Sequence, residues 1–421
     1  MHDIDVPPTS ALDADHVCRL HGFVIDHEFG ETPIGSRPSA LWEGLTHLGT
    51  QLWLDTGDLQ AAEGVWCEEF SALTTNNSLL NAEVQRGVYD DIVARADQEL
   101  DGLDSETRVL EIAFVLNAIH GLRLIDRFGG QVSVELHTDL ADDVERAVFY
   151  GQRLFALAPD HFLVKLPLTP AGLVATRRLR DLGVRVNLTL GFSARQNFLA
   201  TSLARPDYVN VFLGRIGAFL VDNRLGDGVN AGERATWASQ HALRELAAGR
   251  ASSTRQIAAS IRDAAQLPRL AGIDVLTIPL AVVQAAGGLD GAWRDQDEAA
   301  FPVTLASGVD ALAVRLDQMW EIGECERTLA ERLASRRTFS AADVIAEAID
   351  CGCGDLFPVF SPADRQRLAA DGKIPRHAAW EERIAAGELG LDALLNAAGL
   401  ASFAADQAKL DARVRGLLGH T

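Results

Sequence analysis

Short apolar segments alternate with helical segments along residues 51–280, and this alternation limits the fold more than any other feature of the chain. Eight segments have the length and apolar content of β-strands: 51–55, 70–76, 131–137, 161–168, 184–192, 208–215, a short run at about 250–253, and 274–280. Alternation of strands and helices predicts a parallel sheet. Eight strands within about 230 residues therefore indicate an α/β fold, a closed (β/α)8 TIM barrel rather than an open sheet.

The regions on either side of this pattern predict the domain organisation. Residues 1–45 contain several proline and glycine breakers and are expected to form an irregular N-terminal extension. Residues 46–300 are expected to form a catalytic barrel. Residues 301–421 are rich in Ala, Leu, Arg and Glu with helical periodicity, so we expect a helical C-terminal region whose final helix, at about 392–417, packs on the barrel.

Charge and cysteine content narrow the partners and the location. The 421 residues include 38 Lys and Arg against 59 Asp and Glu, and this net charge of −21 disfavours nucleic acid or an anionic membrane as partner. No signal peptide or membrane span is visible, and the five scattered cysteines fit a reducing compartment, so a cytoplasmic location is expected. Cys351 and Cys353 have no second Cys/His pair with zinc spacing, so we expect no metal.

Lysine is rare in this chain and therefore informative. Three of the 38 basic residues are lysines: Lys165, Lys373 and Lys409. Lys165 lies in the apolar fourth predicted strand, where a buried ammonium group costs several kcal/mol unless it is paired or loses its proton. Arginine cannot act as an amine nucleophile, whereas a neutral lysine can attack a carbonyl to form a Schiff base. The alternative is a purely structural pairing of Lys165 with Glu135.

Polar residues recur on the predicted strands, although the strands of a parallel barrel are covered on both faces and are usually apolar. These residues are Asp55, Asn76, Glu135, Asn187, Thr189 and Asn210. Most lie near the carboxyl ends of their strands, where barrel active sites lie, so we expect them to converge around Lys165. Taken singly, each is equally compatible with a hydrogen-bonded core residue. Asp55 and Glu135 are the candidates for the proton transfers of Schiff-base chemistry.

A candidate anion site lies in the segment ASSTRQIAAS. Ser253 and Gln256 have the spacing of a capping box, which predicts a helix that begins after the seventh strand. Barrels commonly bind phosphate on the amides of such a helix. Arg255 in its first turn opposes the helix dipole, and an anion ligand explains this arginine better than stability does. Arg215, at the end of the sixth strand, would complete the clamp.

Several of these segments resemble motifs of the transaldolase family, and they follow one another along the chain in the same order as in that family. They are LDTGD (54–58), TTN (74–76), VSVE (132–135), VKLPLTPAGL (164–173), VNLTLGFSARQ (186–196), VFLGR (211–215), the Ser253–Arg255 stretch, LTIP (276–279) and FAADQAKL (403–410). The resemblance covers about 50–280 and returns at about 390–415. It implies a class I aldolase barrel of the pentose phosphate pathway that acts on sugar phosphates without a cofactor. A homo-oligomer is left open.

The resemblance implies catalytic roles for four residues. Lys165 corresponds to the Schiff-base lysine. Asp55 corresponds to the general acid/base that handles the C4 hydroxyl of the donor sugar. Glu135 and Thr189 correspond to the pair that positions the catalytic water.

The resemblance also implies the substrate-binding groups. Asn76 and Asn187 correspond to residues that bond the donor sugar. Arg215, Ser253 and Arg255 correspond to the phosphate site.

Three positions qualify the resemblance, and two of them depart from the family pattern. Asn77 replaces the proline of the family's TTNP, and Asn210 replaces the serine that precedes its VGR-like motif. Both lie near the dihydroxyacetone end of the donor. The resemblance therefore implies the reaction type more directly than it implies which donor sugar is preferred. Phe212, like Glu135, is similar to transaldolases rather than to the related fructose-6-phosphate aldolases, which tend to carry Tyr and Gln there.

These features predict a transaldolase that transfers a dihydroxyacetone unit from sedoheptulose 7-phosphate or fructose 6-phosphate to an aldose phosphate. One alternative is a transaldolase-like aldolase that acts on another sugar in a specialised pathway. The other is an inactive barrel whose helical tail binds a partner. The inactive form is disfavoured because Lys165, Asp55, Glu135 and Thr189 are all present.

Overall fold

Eight parallel strands close into a barrel in this structure, a computed structural model that describes residues 12–28, 30–248 and 253–419. Each strand pairs with the next along the chain, and the eighth pairs with the first. The strands are β1 (Gln51–Asp55), β2 (Phe70–Thr74), β3 (Gln131–Glu135), β4 (Phe162–Pro167), β5 (Val186–Thr189), β6 (Tyr208–Phe212), β7 (Arg255–Ala259) and β8 (Val275–Pro279). The predicted (β/α)8 barrel is confirmed.

Helices surround the barrel and continue beyond it. Those up to the last strand are α1 (Ala14–Ile25), α2 (Ala40–His47), α3 (Leu59–Glu63), α4 (Asn77–Gln85), α5 (Asp90–Gln98), α6 (Ser105–Phe128), α7 (Val144–Leu157), α8 (Pro170–Asp181), α9 (Ala194–Ala204), α10 (Leu213–Asp222) and α11 (Ala231–Ala248). Those after it are α12 (Leu280–Ala286), α13 (Ala311–Val314), α14 (Glu324–Ala334), α15 (Ala341–Asp350), α16 (Pro362–Asp371), α17 (Glu381–Ala385) and α18 (Leu391–Leu417). Short 3-10 helices span Thr138–Leu140, Ala264–Leu270, Leu316–Met319, Gly354–Leu356 and His377–Ala379.

The segment before the barrel is partly helical. It holds α1 and the start of α2, and residues 30–39 between them have no regular secondary structure. Across the part of the chain that the structure describes, every helix is too short or too polar to cross a membrane.

Polar residues that follow the strands begin the next helices. The side chains of Asn76, Thr169 and Ser193 accept hydrogen bonds from backbone N–H groups in the first turns of α4, α8 and α9. Such N-caps satisfy amides that have no partner within the helix. The carboxyl ends of β2, β4 and β5 therefore turn sharply into helices, which leaves this edge of the barrel open.

The seventh strand lies further along the chain than the sequence pattern predicted. The expected run at about 250–253 falls largely outside the described residues, and β7 instead spans Arg255–Ala259. The predicted helix at Ser253 is wrong, because Gln256 is fully buried within β7, where its Oε1 accepts from Ser239 and Asn197. Gln256 therefore lies three positions after Ser253, as in a helix capping box, although it is a buried residue of a strand. The capping box of this region is formed by Asp263 and Gln266.

The final helix, α18, crosses the carboxyl edge of the barrel. Asn396 donates to the carbonyl oxygens of Leu168 and Leu190, which follow β4 and β5. Asp406 accepts from Ser78 of α4 at 2.5 Å. Further along, Asp411 lies 3.3 Å from the Nε2 atom of His137, which follows β3. Helix α18 therefore covers the open end of the barrel.

A buried ionic cluster holds the beginning of α18 in place. Arg195 of α9 lies 2.7 Å from Asp392, 3.1 Å from Asp355 and 3.2 Å from Glu326, and all four side chains are at most 5% exposed. Gly390 lies at the N-cap of α18, where an added Cβ would approach Arg195 Nη2 to 2.3 Å. A glycine at this position therefore leaves the space that the guanidinium group occupies.

Removal of one carboxylate from this cluster should destabilise the protein strongly. We expect Asp392→Ala to lower the free energy of unfolding by about 3–5 kcal/mol, because it leaves a buried charge with fewer partners. Asp181→Ala is the matched control, since it breaks an ion pair with Arg205 in which both side chains are 56% exposed. Its effect should stay below about 1 kcal/mol. Equal losses in urea unfolding would contradict a special role for the buried cluster.

Candidate active site

A cavity of about 320 Å³ opens at the carboxyl ends of the strands, beneath α18. Its lining includes eight side chains that the sequence singled out: Asp55, Asn76, Lys165, Asn187, Thr189, Asn210, Phe212 and Arg215. They come from β1, β4, β5, β6 and the segments that follow β2 and β6. The expected convergence around Lys165 is therefore present for these residues, and the volume suits a small-molecule ligand.

Lys165 lies at the centre of this group and is 4% exposed. Its Nζ donates to the carbonyl oxygen of Thr75 at 3.2 Å. Strand register places Glu135 on one side of it and Asn187 on the other. The distance from Nζ to Glu135 Oε2 is 3.8 Å, which is too long for a hydrogen bond. Glu135 thus interacts with Lys165 as a charge at 3.8 Å, and Lys165 itself lines the cavity.

Burial alters the proton affinity of both carboxyl groups near Lys165. It raises the pKa of Asp55 and of Glu135, while the charge of Lys165 acts in the opposite direction. A raised pKa brings a carboxyl group closer to the pH at which it can both accept and release a proton. Within the described residues, Glu135 Oε2 is buried without a hydrogen-bond partner. Glu135 is not among the residues that line the cavity; this oxygen lies 3.8 Å from the Nζ atom of Lys165, which does line it.

The asparagines of the site have part of their hydrogen-bonding capacity free. Asn187 Nδ2 donates to Ser133 Oγ at 2.9 Å, whereas its Oδ1 has no partner among the described residues. Asn210 Nδ2 donates to Thr189 Oγ1 at 3.1 Å, which orients the threonine hydroxyl. Asn76 Oδ1 is occupied as the cap of α4. Free carbonyl and amide groups in a cavity can bind the hydroxyls of a sugar.

Arg215 is the second buried cation that faces the cavity. Its guanidinium carbon lies 5.1 Å from the centre of the Phe212 ring and 5.5 Å from that of Phe403 in α18. Its Nη1 has no hydrogen-bond partner within the described residues. Burial, together with the nearby charge of Arg262, lowers the pKa of Arg215 to about 10. Among the described residues neither arginine has an ion pair within 4 Å, although the charges of Glu135 and Asp222 act on Arg215 and Arg262 respectively. Two neighbouring arginines of this kind form an environment that favours an anion.

The segment after β7 completes this cationic corner. Ser260 lines the cavity and has a positive φ of 62°. Arg262 is exposed and is not itself a lining residue, but its charge acts on Arg215. An added Cβ on Gly214 would lie 2.0 Å from Ser260 O and 2.8 Å from Arg262 Cγ, so this segment packs directly against the start of α10. Arg215, Ser260 and Arg262 therefore form the candidate phosphate site.

The structure places Ser253 and Arg255, which the sequence interpretation assigned to the phosphate site, away from the cavity. Arg255 is the first residue of β7 and pairs with Tyr208, the first residue of β6, whereas the last residues of the two strands, Phe212 and Ala259, pair at the cavity end. Four residues of strand separate the two ends by about 13 Å. Both predicted residues are exposed at the opposite edge of the barrel. The prediction failed because it placed the strand too early.

Ser260 and Arg262 are the site residues that the sequence interpretation missed. The available signal was the apolar run 257–259 followed by Ser260 and Arg262, with Asp263 and Gln266 at capping-box spacing directly behind. This arrangement has the predicted order of strand, anion-binding residues and helix cap, with Ser260 and Arg262 seven positions after Ser253 and Arg255.

Comparison with known proteins supports an enzymatic interpretation of the cavity. Residues 52–322 match the profile of the family described as Transaldolase/Fructose-6-phosphate aldolase. A transaldolase of Xanthomonas euvesicatoria pv. vesicatoria is 30% identical over 233 residues, which is 53% of this chain and 71% of that protein. A probable transaldolase of an Exiguobacterium species is 32% identical over 186 residues, 44% of this chain and 73% of that protein. Helices α14 to α18 lie beyond the matched region.

Inorganic phosphate should bind at the candidate phosphate site. We expect Arg262→Ala to weaken phosphate binding about ten-fold, since a charge-assisted hydrogen bond contributes about 1.5–3 kcal/mol. Arg255→Ala is the matched control, because it removes an arginine of the same strand–loop unit at the other edge. Isothermal titration calorimetry measures both. Weaker binding in Arg255→Ala, with Arg262→Ala unchanged, would restore the earlier assignment.

Proposed function

Because this chain belongs to the transaldolase/fructose-6-phosphate aldolase family, an enzyme family, we propose that it transfers a dihydroxyacetone unit from a ketose phosphate to an aldose phosphate through a Schiff base on Lys165. Sedoheptulose 7-phosphate and fructose 6-phosphate are the proposed donors. One observation carries the proposal: a buried lysine, 3.8 Å from the carboxylate of Glu135, shares its cavity with a buried Arg215 whose Nη1 has no hydrogen-bond partner among the described residues.

The first half of the proposed reaction takes the donor apart. The neutral amine of Lys165 attacks the C2 carbonyl, and loss of water from the carbinolamine gives a protonated Schiff base. Asp55 accepts the proton of the C4 hydroxyl. The C3–C4 bond then breaks, its electron pair moves toward the iminium nitrogen, and the aldose phosphate leaves as an aldehyde. The three-carbon unit stays on Lys165 as an enamine.

The second half reverses these steps on a new aldehyde. The enamine carbon attacks the acceptor carbonyl, and Asp55 returns its proton to the new hydroxyl. Water held by Glu135 and Thr189 then attacks the Schiff-base carbon, which releases the product ketose and the free amine. The raised pKa of Glu135, caused by its burial, suits a group that must accept a proton from this water.

The cationic corner positions both sugars. In the proposed complex, Arg215, Ser260 and Arg262 bind the terminal phosphate, while Asn76, Asn187 and Asn210 bond to the hydroxyls near C1 to C3. Because the protein as a whole is strongly acidic, with a net charge of −21, phosphate is held by this local group of cations and not by the overall field.

The choice between transfer and simple release depends on proton donors near the enamine. Phe212 packs edge-to-face against Phe403, with ring centres 6.5 Å apart, and offers no hydroxyl group. An enamine in such surroundings persists until an aldehyde arrives. This observation favours transfer over the aldolase alternative, in which the enamine is protonated and dihydroxyacetone is released.

Product analysis tests this function directly. Fructose 6-phosphate alone should yield little free dihydroxyacetone, whereas addition of erythrose 4-phosphate should give rapid formation of sedoheptulose 7-phosphate. Phe212→Tyr should shift the balance toward release, because it supplies a hydroxyl group beside the enamine. Phe192→Tyr, which alters a neighbouring ring 5.7 Å from Phe212, is the control. Release as fast as transfer in the unchanged protein would establish the aldolase alternative instead.

A further inference from the structure

Two of the chain's three lysines line one cavity. Lys165 is buried inside it, and Lys373, in the turn after α16, is exposed. The third, Lys409 of α18, lies 2.8 Å from Asp406 and is not among the lining residues. The other 35 basic residues are arginines spread over the whole chain. The placement of Lys373 therefore calls for an explanation of its own.

Lys373 has no carboxylate partner within the described ranges of the chain. The charge of Lys373 acts on the carboxylate of Asp406, but that carboxylate already accepts hydrogen bonds from Ser78 and Lys409. The pKa of Asp406 is lowered against the effect of burial mainly by those two bonds, and the charge of Lys373 adds to them from a longer distance. Lys373 is therefore an exposed cation of the cavity lining without an ion pair among the described residues.

The segment that carries Lys373 is held in position. Asn223, at the end of α10, donates to the carbonyl oxygen of Pro375 at 3.0 Å and accepts from the backbone N–H of His377 at 2.7 Å. The backbone N–H of Arg376 donates to Asp371 at 3.1 Å. Bonds on the C-terminal side, and α16 on the N-terminal side, therefore fix the backbone near Lys373 while its side chain stays exposed.

Lys373 occupies a different part of the rim from the candidate phosphate site. Arg215 approaches α18 at Gly399 and Phe403, whereas Lys373 lies by Asp406, on the next turn. The cavity is therefore bordered by two separate centres of positive charge.

We propose that Lys373 binds a second anionic group of the sugar substrate, a phosphate or a carboxylate, in addition to the phosphate held by Arg215, Ser260 and Arg262. The proposal rests on the proposed function, since it concerns a substrate of the same cavity. The preferred substrate then carries negative groups at two positions. A flexible lysine suits this task, because its compact ammonium group can follow an anion without the fixed geometry of a guanidinium.

The C-terminal helical region supplies this second contact. Lys373 lies outside residues 52–322, the part that matches the family profile. In this proposal the barrel provides the chemistry, and the helices beyond the matched region provide a further substrate contact.

Three sugar substrates distinguish a site for one anionic group from a site for two. Fructose 6-phosphate has one, fructose 1,6-bisphosphate adds a phosphate, and 2-keto-3-deoxy-6-phosphogluconate adds a carboxylate. The measurement is the sugar concentration that half-saturates borohydride trapping on Lys165. Lys373→Ala should raise this concentration about five-fold more for at least one of the two doubly charged sugars than for fructose 6-phosphate. Which sugar responds identifies the second group as phosphate or carboxylate.

Two further variants and a salt series complete the test. Lys373→Arg should preserve most of the preference. Lys409→Ala, which removes a lysine that does not line the cavity, should not alter it. Added salt should reduce the preference, since the ammonium group is exposed. If Lys373→Ala changes the half-saturating concentration equally for all three sugars, or leaves it unchanged, this inference is overturned and the proposed function is not. Absence of trapping with every sugar in the unchanged protein overturns the proposed function as well.

Discussion

The salt-bridge cluster between Arg195 and the start of α18 is the interaction on which the site depends. It holds Asp392 in the interior, and from there the helix runs across the open end of the barrel. The roof of the cavity follows from this path, because Phe403 packs against Phe212 and Arg215. Without that anchor, strands β1 to β8 would still present their polar side chains, but to open solvent.

Enclosure changes what those side chains can do. Water is largely excluded from Lys165, Glu135 and Arg215, so each charge interacts more strongly with its neighbours than it would at the surface. Glu135 is close enough to Lys165 to influence it at 3.8 Å, yet too far to neutralise it through a hydrogen bond. This spacing is the physical basis of the proposed chemistry, since the amine must be free to attack and the carboxyl group free to exchange protons.

The barrel and the centre of the site could be predicted from sequence because they depend on local patterns. An apolar strand interrupted by Lys165, beside strands that carry Glu135 and Asn187, already implied their convergence. The seventh strand could not be placed in the same way, because buried Gln256 had the spacing of a helix cap and its partners, Asn197 and Ser239, are remote in sequence. The roles of Lys373 and of the helices around it depend on tertiary packing, for which the sequence contains no periodic signal.

The identity of the covalently modified residue tests the central claim most directly. The protein is incubated with fructose 6-phosphate, reduced with borohydride, digested and mapped by mass spectrometry, and its three lysines fall in separate peptides. The account predicts a reduced dihydroxyacetone adduct on the peptide that holds Lys165, and its loss in Lys165→Arg, which keeps the charge without the nucleophilic amine. An adduct confined to Lys373 or Lys409, or no adduct on any lysine, would contradict it.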